Sequence, residues 1–106
     1  MHSKILSEDL LNEFKKLRDI LISEKEINWI RGVESIIEKL EWSNDNRCDD
    51  PECFFNSACD TWKTMDKGNG SFSEYFIWRD DFDERVRLNK IYQKIKDNIW
   101  DIVNNN

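Results

Sequence analysis

Apolar residues recur at intervals of three and four through most of this chain, and such spacing brings side chains to one side only in an α-helix. Leu6, Leu10, Phe14, Leu17 and Leu21 make the first stripe, and Trp29, Ile30, Val33, Ile37 and Leu40 the second. Phe54, Phe55, Ala58, Cys59, Trp62 and Met65 supply a third, and Leu88, Tyr92, Ile95, Ile99 and Ile102 a fourth. One Pro and three Gly in 106 residues leave too little turn punctuation for a β-sandwich or a Gly-rich nucleotide fold. The expectation is therefore an all-α single domain over residues 1–106: a compact bundle of four to five helices with one short extended aromatic segment.

Local signals place the boundaries. Ser7, or Ser3 one turn earlier, is suited to cap the first helix, with Glu8 and Asp9 near its positive end. Ser23-Glu24-Lys25-Glu26 has the form of a capping box and predicts a second helix from about Glu24, antiparallel to the first. Gly32 costs up to ~1 kcal/mol inside a helix, so it reads as a site of close helix packing. Residues 43–50 are polar and loop-like, and Asp50-Pro51-Glu52 offers a cap, a Pro at the first helical position and an acid in the first turn. Gly68-Asn69-Gly70 should stop that helix near Lys67. Residues 71–78 have extended character, either as a buried strand or as an aromatic loop pressed on helices. The last element spans about 81–103, with Asn89 a candidate cap for a separate final helix and a frayed end at 104–106.

Several classes of function are disfavoured by what the chain holds. Its one His is His2, at the terminus, so no Cys–His or Ser–His pair can be held in register. Phosphate-binding and dinucleotide fingerprints are missing. Cys48, Cys53 and Cys59 are spaced more loosely than zinc ligands, with no His nearby. Aligning Gly70 with the turn glycine of a calcium loop puts Met65 and Phe76 where acidic ligands must stand. The expectation is a non-enzyme without metal or cofactor. The longest apolar run, residues 75–78, is far short of the ~20 residues that span a bilayer. With no signal-peptide core and an odd number of Cys, the chain reads as cytoplasmic with reduced thiols.

Charge says more. With 22 acidic and 16 basic side chains the net charge is −6, which opposes electrostatic binding to nucleic acid. Between residues 41 and 60, Glu41, Asp45, Asp49, Asp50, Glu52 and Asp60 are opposed by Arg47 alone. A second cluster, Asp80, Asp81, Asp83 and Glu84, should be largely neutralised by Arg79 and by Arg85 and Arg87, which stand four residues after Asp81 and Asp83. Of five Trp, Trp29, Trp62 and Trp100 fall near apolar stripes, whereas Trp42 and Trp78 adjoin the charged runs. The expected contact surface is Trp42, Asp45, Asp49, Asp50 and Glu52, with Trp78, Asp80, Asp81, Asp83 and Glu84 on the same face. Such a surface steers a basic partner.

Gly68-Asn69-Gly70-Ser71-Phe72-Ser73-Glu74, followed by an aromatic-aliphatic stretch, Leu88-Asn89 and Ile99-Trp100, resembles a group of small bacterial proteins. These pair a G-x-G-S-F-x-D/E loop with a final helix closing in an I-W-like pair. The resemblance covers about the last third of the chain, and it is similar to immunity proteins of polymorphic toxin systems. It implies a protein that binds and neutralises a cognate toxin domain; the acidic surface adds the expectation that this domain is a nuclease with a basic active site, its substrate face covered by a monomer or weak dimer of this chain. The other reading is an acidic helical adaptor or regulatory module.

Overall fold

The structure, a computed structural model, describes residues 2–67 and 75–104. Four helices account for most of them: α1 (His2–Ser23), α2 (Ile27–Ser43), α3 (Pro51–Lys67) and α4 (Phe82–Asn104). No strand occurs among the described residues. The three-four stripes face inward as expected. Leu10, Phe14, Leu17 and Leu21 of α1, Val33, Ile36 and Leu40 of α2, Phe55, Ala58 and Trp62 of α3 and Ile99 of α4 are fully buried. Trp62 binds the layers together. Its ring meets Phe14 of α1 edge-on at 5.4 Å and Trp100 of α4 at 5.9 Å.

The helices pack largely antiparallel. Asn98 Nδ2 of α4 donates to Glu13 Oε1 of α1 at 2.9 Å, while Leu88 and Ile91 lie beside Ile20 near the other end of α1. Between α2 and α3, Ser43 Oγ donates to the Pro51 carbonyl at 2.7 Å, and Met65 lies against Gly32. A Cβ on Gly32 would stand 2.6 Å from Met65 Sδ, so glycine is what allows the close approach. The molecule measures 48 × 22 × 21 Å.

Several boundaries differ from the sequence expectations, each for a local reason. α1 already begins at His2, which leaves Ser3 and Ser7 inside the helix, Ser7 buried, and Glu8 and Asp9 beyond its first turn. The capping box does not form. Residues 24–26 close α1 instead: Glu24 N–H donates to Ile20 O, Lys25 N–H to Ile22 O and Glu26 N–H to Leu21 O. This pattern is a Schellman ending with Lys25 in the left-handed region at φ 61°. Glu26 becomes the N-cap of α2 without a side-chain cap bond. At α3 the expectation holds, since Asp50 Oδ1 accepts from Cys53 N–H at 3.1 Å. α4 runs unbroken, so Asn89 lies within one helix and caps no fifth one. Residues 75–79 have no regular secondary structure, and the rest of the expected extended segment and the Gly68–Glu74 loop motif lie outside the described residues.

A buried ion pair joins α3 to α4. Lys96 Nζ stands 3.6 Å from Asp66 Oδ1, with the two side chains only 7% and 9% exposed. Trp100 Nε1 donates to Asp66 Oδ2 at 2.9 Å, and Lys96 Nζ lies 5.4 Å from the Tyr92 ring centre. Two predictions follow from these backbone and core features. Lys25→Gly removes the left-handed penalty and should stabilise the fold by about 0.5–1 kcal/mol, read from the urea midpoint. Lys96→Met strands the Asp66 carboxylate in the core and should cost about 3 kcal/mol, with Asp66→Asn in the same chain recovering part of the loss.

Candidate functional site

The chain holds two surface regions with the composition of a partner site, and the structure sets them at opposite ends of α2. Residues 44–50 follow α2 directly, whereas segment 78–84 is tied to Glu24 at the α1–α2 turn. The 17 residues of α2 separate these points, about 25 Å at 1.5 Å per residue. The ten residues expected to share one face are therefore divided into two groups of five.

At the acidic end, Asp45 is not a free charge. Its carboxylate accepts the Arg47 backbone N–H at 2.8 Å, Nε at 3.0 Å and Nη2 at 2.9 Å. These bonds hold the Asp45 carboxyl down at about 2. The Arg47 guanidinium also lies 5.7 Å from the Trp42 ring centre. Asp49, Asp50, Glu52 and Asp60 are exposed and form no ion pair among the described residues. Asp50, Glu52 and Asp60 line one side of a groove of about 520 Å³ along the first turns of α3. Trp42 and Phe54, 38% and 37% exposed, pack edge-on at 6.4 Å between the end of α2 and the start of α3. Phe54 belongs to the apolar stripe of α3 by its spacing. It faces outward because Phe55, one residue on, takes the inward position.

The opposite end is organised by two polar side chains. Asn89, on α4, uses its amide as a strand would: Oδ1 accepts the Ile77 N–H and Nδ2 donates to the Ile77 carbonyl, both at 2.8 Å. The same Nδ2 donates to the Arg85 carbonyl at 2.8 Å. Arg79 anchors the segment to α1, with Nη1 and Nη2 on the two Glu24 oxygens at 2.7 and 2.6 Å. Its Nε reaches Glu84 Oε1 at 3.2 Å. The Arg79 bonds hold the Glu24 carboxyl below its ordinary 4.5. A lowered acid contributes its stabilisation above that ordinary value and loses it as pH falls through the folded one, so the anchor persists at neutral pH.

Fixing Ile77 inward turns its neighbours outward. Phe76 and Trp78 are each 59% exposed and Phe82 63%, with Val86 beside them at 36%. Tyr75 packs edge-on against Tyr92 at 5.7 Å, and burial pushes its hydroxyl up to about 12. Tyr75, Phe76, Trp78 and Val86, with the neighbouring face of α4, border a largely apolar groove of about 720 Å³ whose charged lining is Arg85 and Lys90.

Of the pairs expected to neutralise the second acidic cluster, Arg79 forms its own, to Glu84, while Asp81–Arg85 and Asp83–Arg87 do not form among the described residues. The Arg85 guanidinium lies 4.4 Å from the Trp78 ring centre and 5.3 Å from that of Phe82, and pairs with no acid among the described residues. Asp81 instead accepts the Glu84 N–H at 3.3 Å at the start of α4. Two aromatic faces offer a guanidinium more than an exposed pair four residues away, worth ~0.3–0.5 kcal/mol. Asp80, Asp81 and Asp83 are thus exposed and outside any ion pair among the described residues, with Glu84 held by Arg79.

The thiols of Cys48, Cys53 and Cys59 are free, and burial raises Cys59 to about 11. No group of His, Cys, Asp and Glu that could hold a metal ion occurs among the described residues, and none of their helices is long and apolar enough to cross a membrane. No family model, no curated protein and no solved structure matches the chain.

The Asn89 amide is the most direct test of how the aromatic end is held. Asn89→Ala leaves the buried Ile77 N–H and carbonyl without their partner and should cost about 2 kcal/mol. Hydrogen exchange at the Ile77 amide should accelerate in parallel, while amides near residue 50 keep their protection.

Proposed function

We propose that this protein acts by binding another protein, and that the acidic end formed by residues 44–60 is the contact for a basic partner. The supporting observation is that Asp49, Asp50, Glu52 and Asp60 stand exposed and outside any ion pair among the described residues, in the stretch that also carries the exposed Trp42–Phe54 pair. Unpaired acids together with exposed aromatic rings suit a partner whose cations complete the pairing as water leaves. With the resemblance to immunity proteins, the specific reading is inhibition of a bacterial toxin domain, a nuclease whose basic substrate face is covered by this acidic end. Asp45 has a different role within that reading, because its bonds to Arg47 shape the loop rather than leaving a charge for the partner.

A second reading, an acidic adaptor or regulatory module, is favoured by the separate aromatic surface about one α2 length away. The two readings differ in whether a toxin gene stands next to this one. For the first, co-expression with a candidate nuclease toxin domain should protect the cell, and the purified pair should bind less tightly as salt rises. Replacing Asp49 and Asp50 by Asn should weaken the complex at least about tenfold, ~1.4 kcal/mol, and flatten its salt dependence. The fold should survive, because Asn caps a helix about as well as Asp. A folded double variant that protects as well as the original rejects the acidic-end contact and moves attention to residues 80–84.

A further inference from the structure

We infer that the aromatic face at the other end of the molecule binds a second copy of this chain, with the two α4 helices antiparallel across a two-fold axis. Phe76, Trp78, Phe82 and Val86 leave bare an apolar area of roughly 400 Å², taking ~150–250 Å² per ring. That is near the largest patch a lone domain carries, about 300–600 Å², and it is already ordered by the Asn89 and Arg79 contacts.

Charge identifies the occupant. The groove beside this patch is lined by two cations, Arg85 and Lys90, so it suits an apolar segment that brings carboxylates. The chain carries such a segment next to its own groove: Trp78 and Phe82 interleaved with Asp80, Asp81 and Asp83, whose carboxylates form no ion pair among the described residues. A surface holding both halves of a complementary pattern side by side is what a two-fold interface requires.

The helix register agrees. Phe82, Val86, Lys90 and Gln93 follow one exposed stripe of α4, and Asp83 and Lys90 lie seven residues apart, on the same flank. In an antiparallel pair each flank meets its own copy. An axis next to Val86 then sets Asp83 against Lys90 of the other copy, twice, and lays each Phe82 ring toward the partner's groove. The bare area falls short of the ~800 Å² per partner of a standard stable interface, with the stems of Lys90 and its neighbours supplying the remainder, so a dissociation constant in the micromolar range is expected.

The experiment is sedimentation velocity on the purified chain alone, from 1 to 200 µM, with circular dichroism to verify folding of every variant. The wild type should pass from monomer to dimer in that range, and added salt should shift it toward monomer. Phe82→Ala should raise the dissociation constant at least about tenfold. Asp83→Lys and Lys90→Glu should each weaken the dimer, and combining them should restore it, because the swap rebuilds both cross-copy pairs. A wild type that stays monomeric at 200 µM overturns the inference. So does a dimer that Phe82→Ala and the single charge reversals leave unchanged, since it would use another face. Asp49→Asn with Asp50→Asn should leave self-association intact, which separates this outcome from that of the acidic-end contact.

Discussion

Trp62 is the side chain on which the packing of the bundle turns. A single helix of 17 residues such as α3 draws most of its stability in a protein from what it buries. Trp62 gives α3 two partners at once, Phe14 on α1 and Trp100 on α4, in the tilted and edge-on geometries that aromatic rings prefer. Once Trp62 is seated, Trp100 is placed to donate to Asp66 one turn further along α3, and Asp66 is placed to face Lys96. The ion pair thus sets the register of α3 on α4, and its desolvation is offset by the indole hydrogen bond and the Tyr92 ring. At the other face of α3, the absent side chain of Gly32 lets Met65 close against α2.

The aromatic end depends on polar side chains doing backbone work. Residues 75–79 pair with no strand, yet the buried Ile77 backbone still requires hydrogen bonds. The Asn89 amide meets both needs from a helix, which explains why an irregular segment can lie on α4 with its central residue buried. Arg79 then fixes the far end of the segment to α1. With Ile77 seated between α1 and α4, its neighbours Phe76 and Trp78 are left exposed. Their exposure follows from the anchoring.

Much of this was legible from periodicity and little of it from charge. The four stripes located the buried face of every helix, and Asp50-Pro51 located the start of α3. Local motifs failed where a competing local bond was available: the Ser23–Glu26 box lost to the Schellman closure of α1, and the Asp81–Arg85 pair lost to the rings of Trp78 and Phe82. Asn89 was recognised as a helix-capping type, yet its amide serves a segment twelve residues away in sequence, which no window could show. Lys96 belongs to no apolar stripe, yet it is buried. Its signal was present, since it stands four residues after Tyr92 and next to Ile95 on the buried side of α4, where a charge needs a partner. The candidate surface was half legible. The acids and both exposed Trp were found, but the separation set by α2 is a property of the fold.

That separation decides how a chain of net charge −6 can be read as binding both a basic partner and itself. At physiological ionic strength fields decay over about 8 Å, so two regions about 25 Å apart are some three decay lengths removed from each other. Net charge then carries little weight at either contact, and the local pattern governs. Around Asp49, Asp50 and Glu52 the pattern is one sign, because Arg47, the cation between residues 41 and 60, is committed to Asp45. Around Trp78 and Phe82 it is mixed: Arg85 and Lys90 line the groove while Asp80, Asp81 and Asp83 stand beside it. A single-signed surface repels its own copy and attracts an opposite one, whereas a mixed surface with an apolar centre can match itself. Two arginines create the contrast, Arg47 by removing one acid from the first surface and Arg85 by joining the rings instead of neutralising the acids of the second.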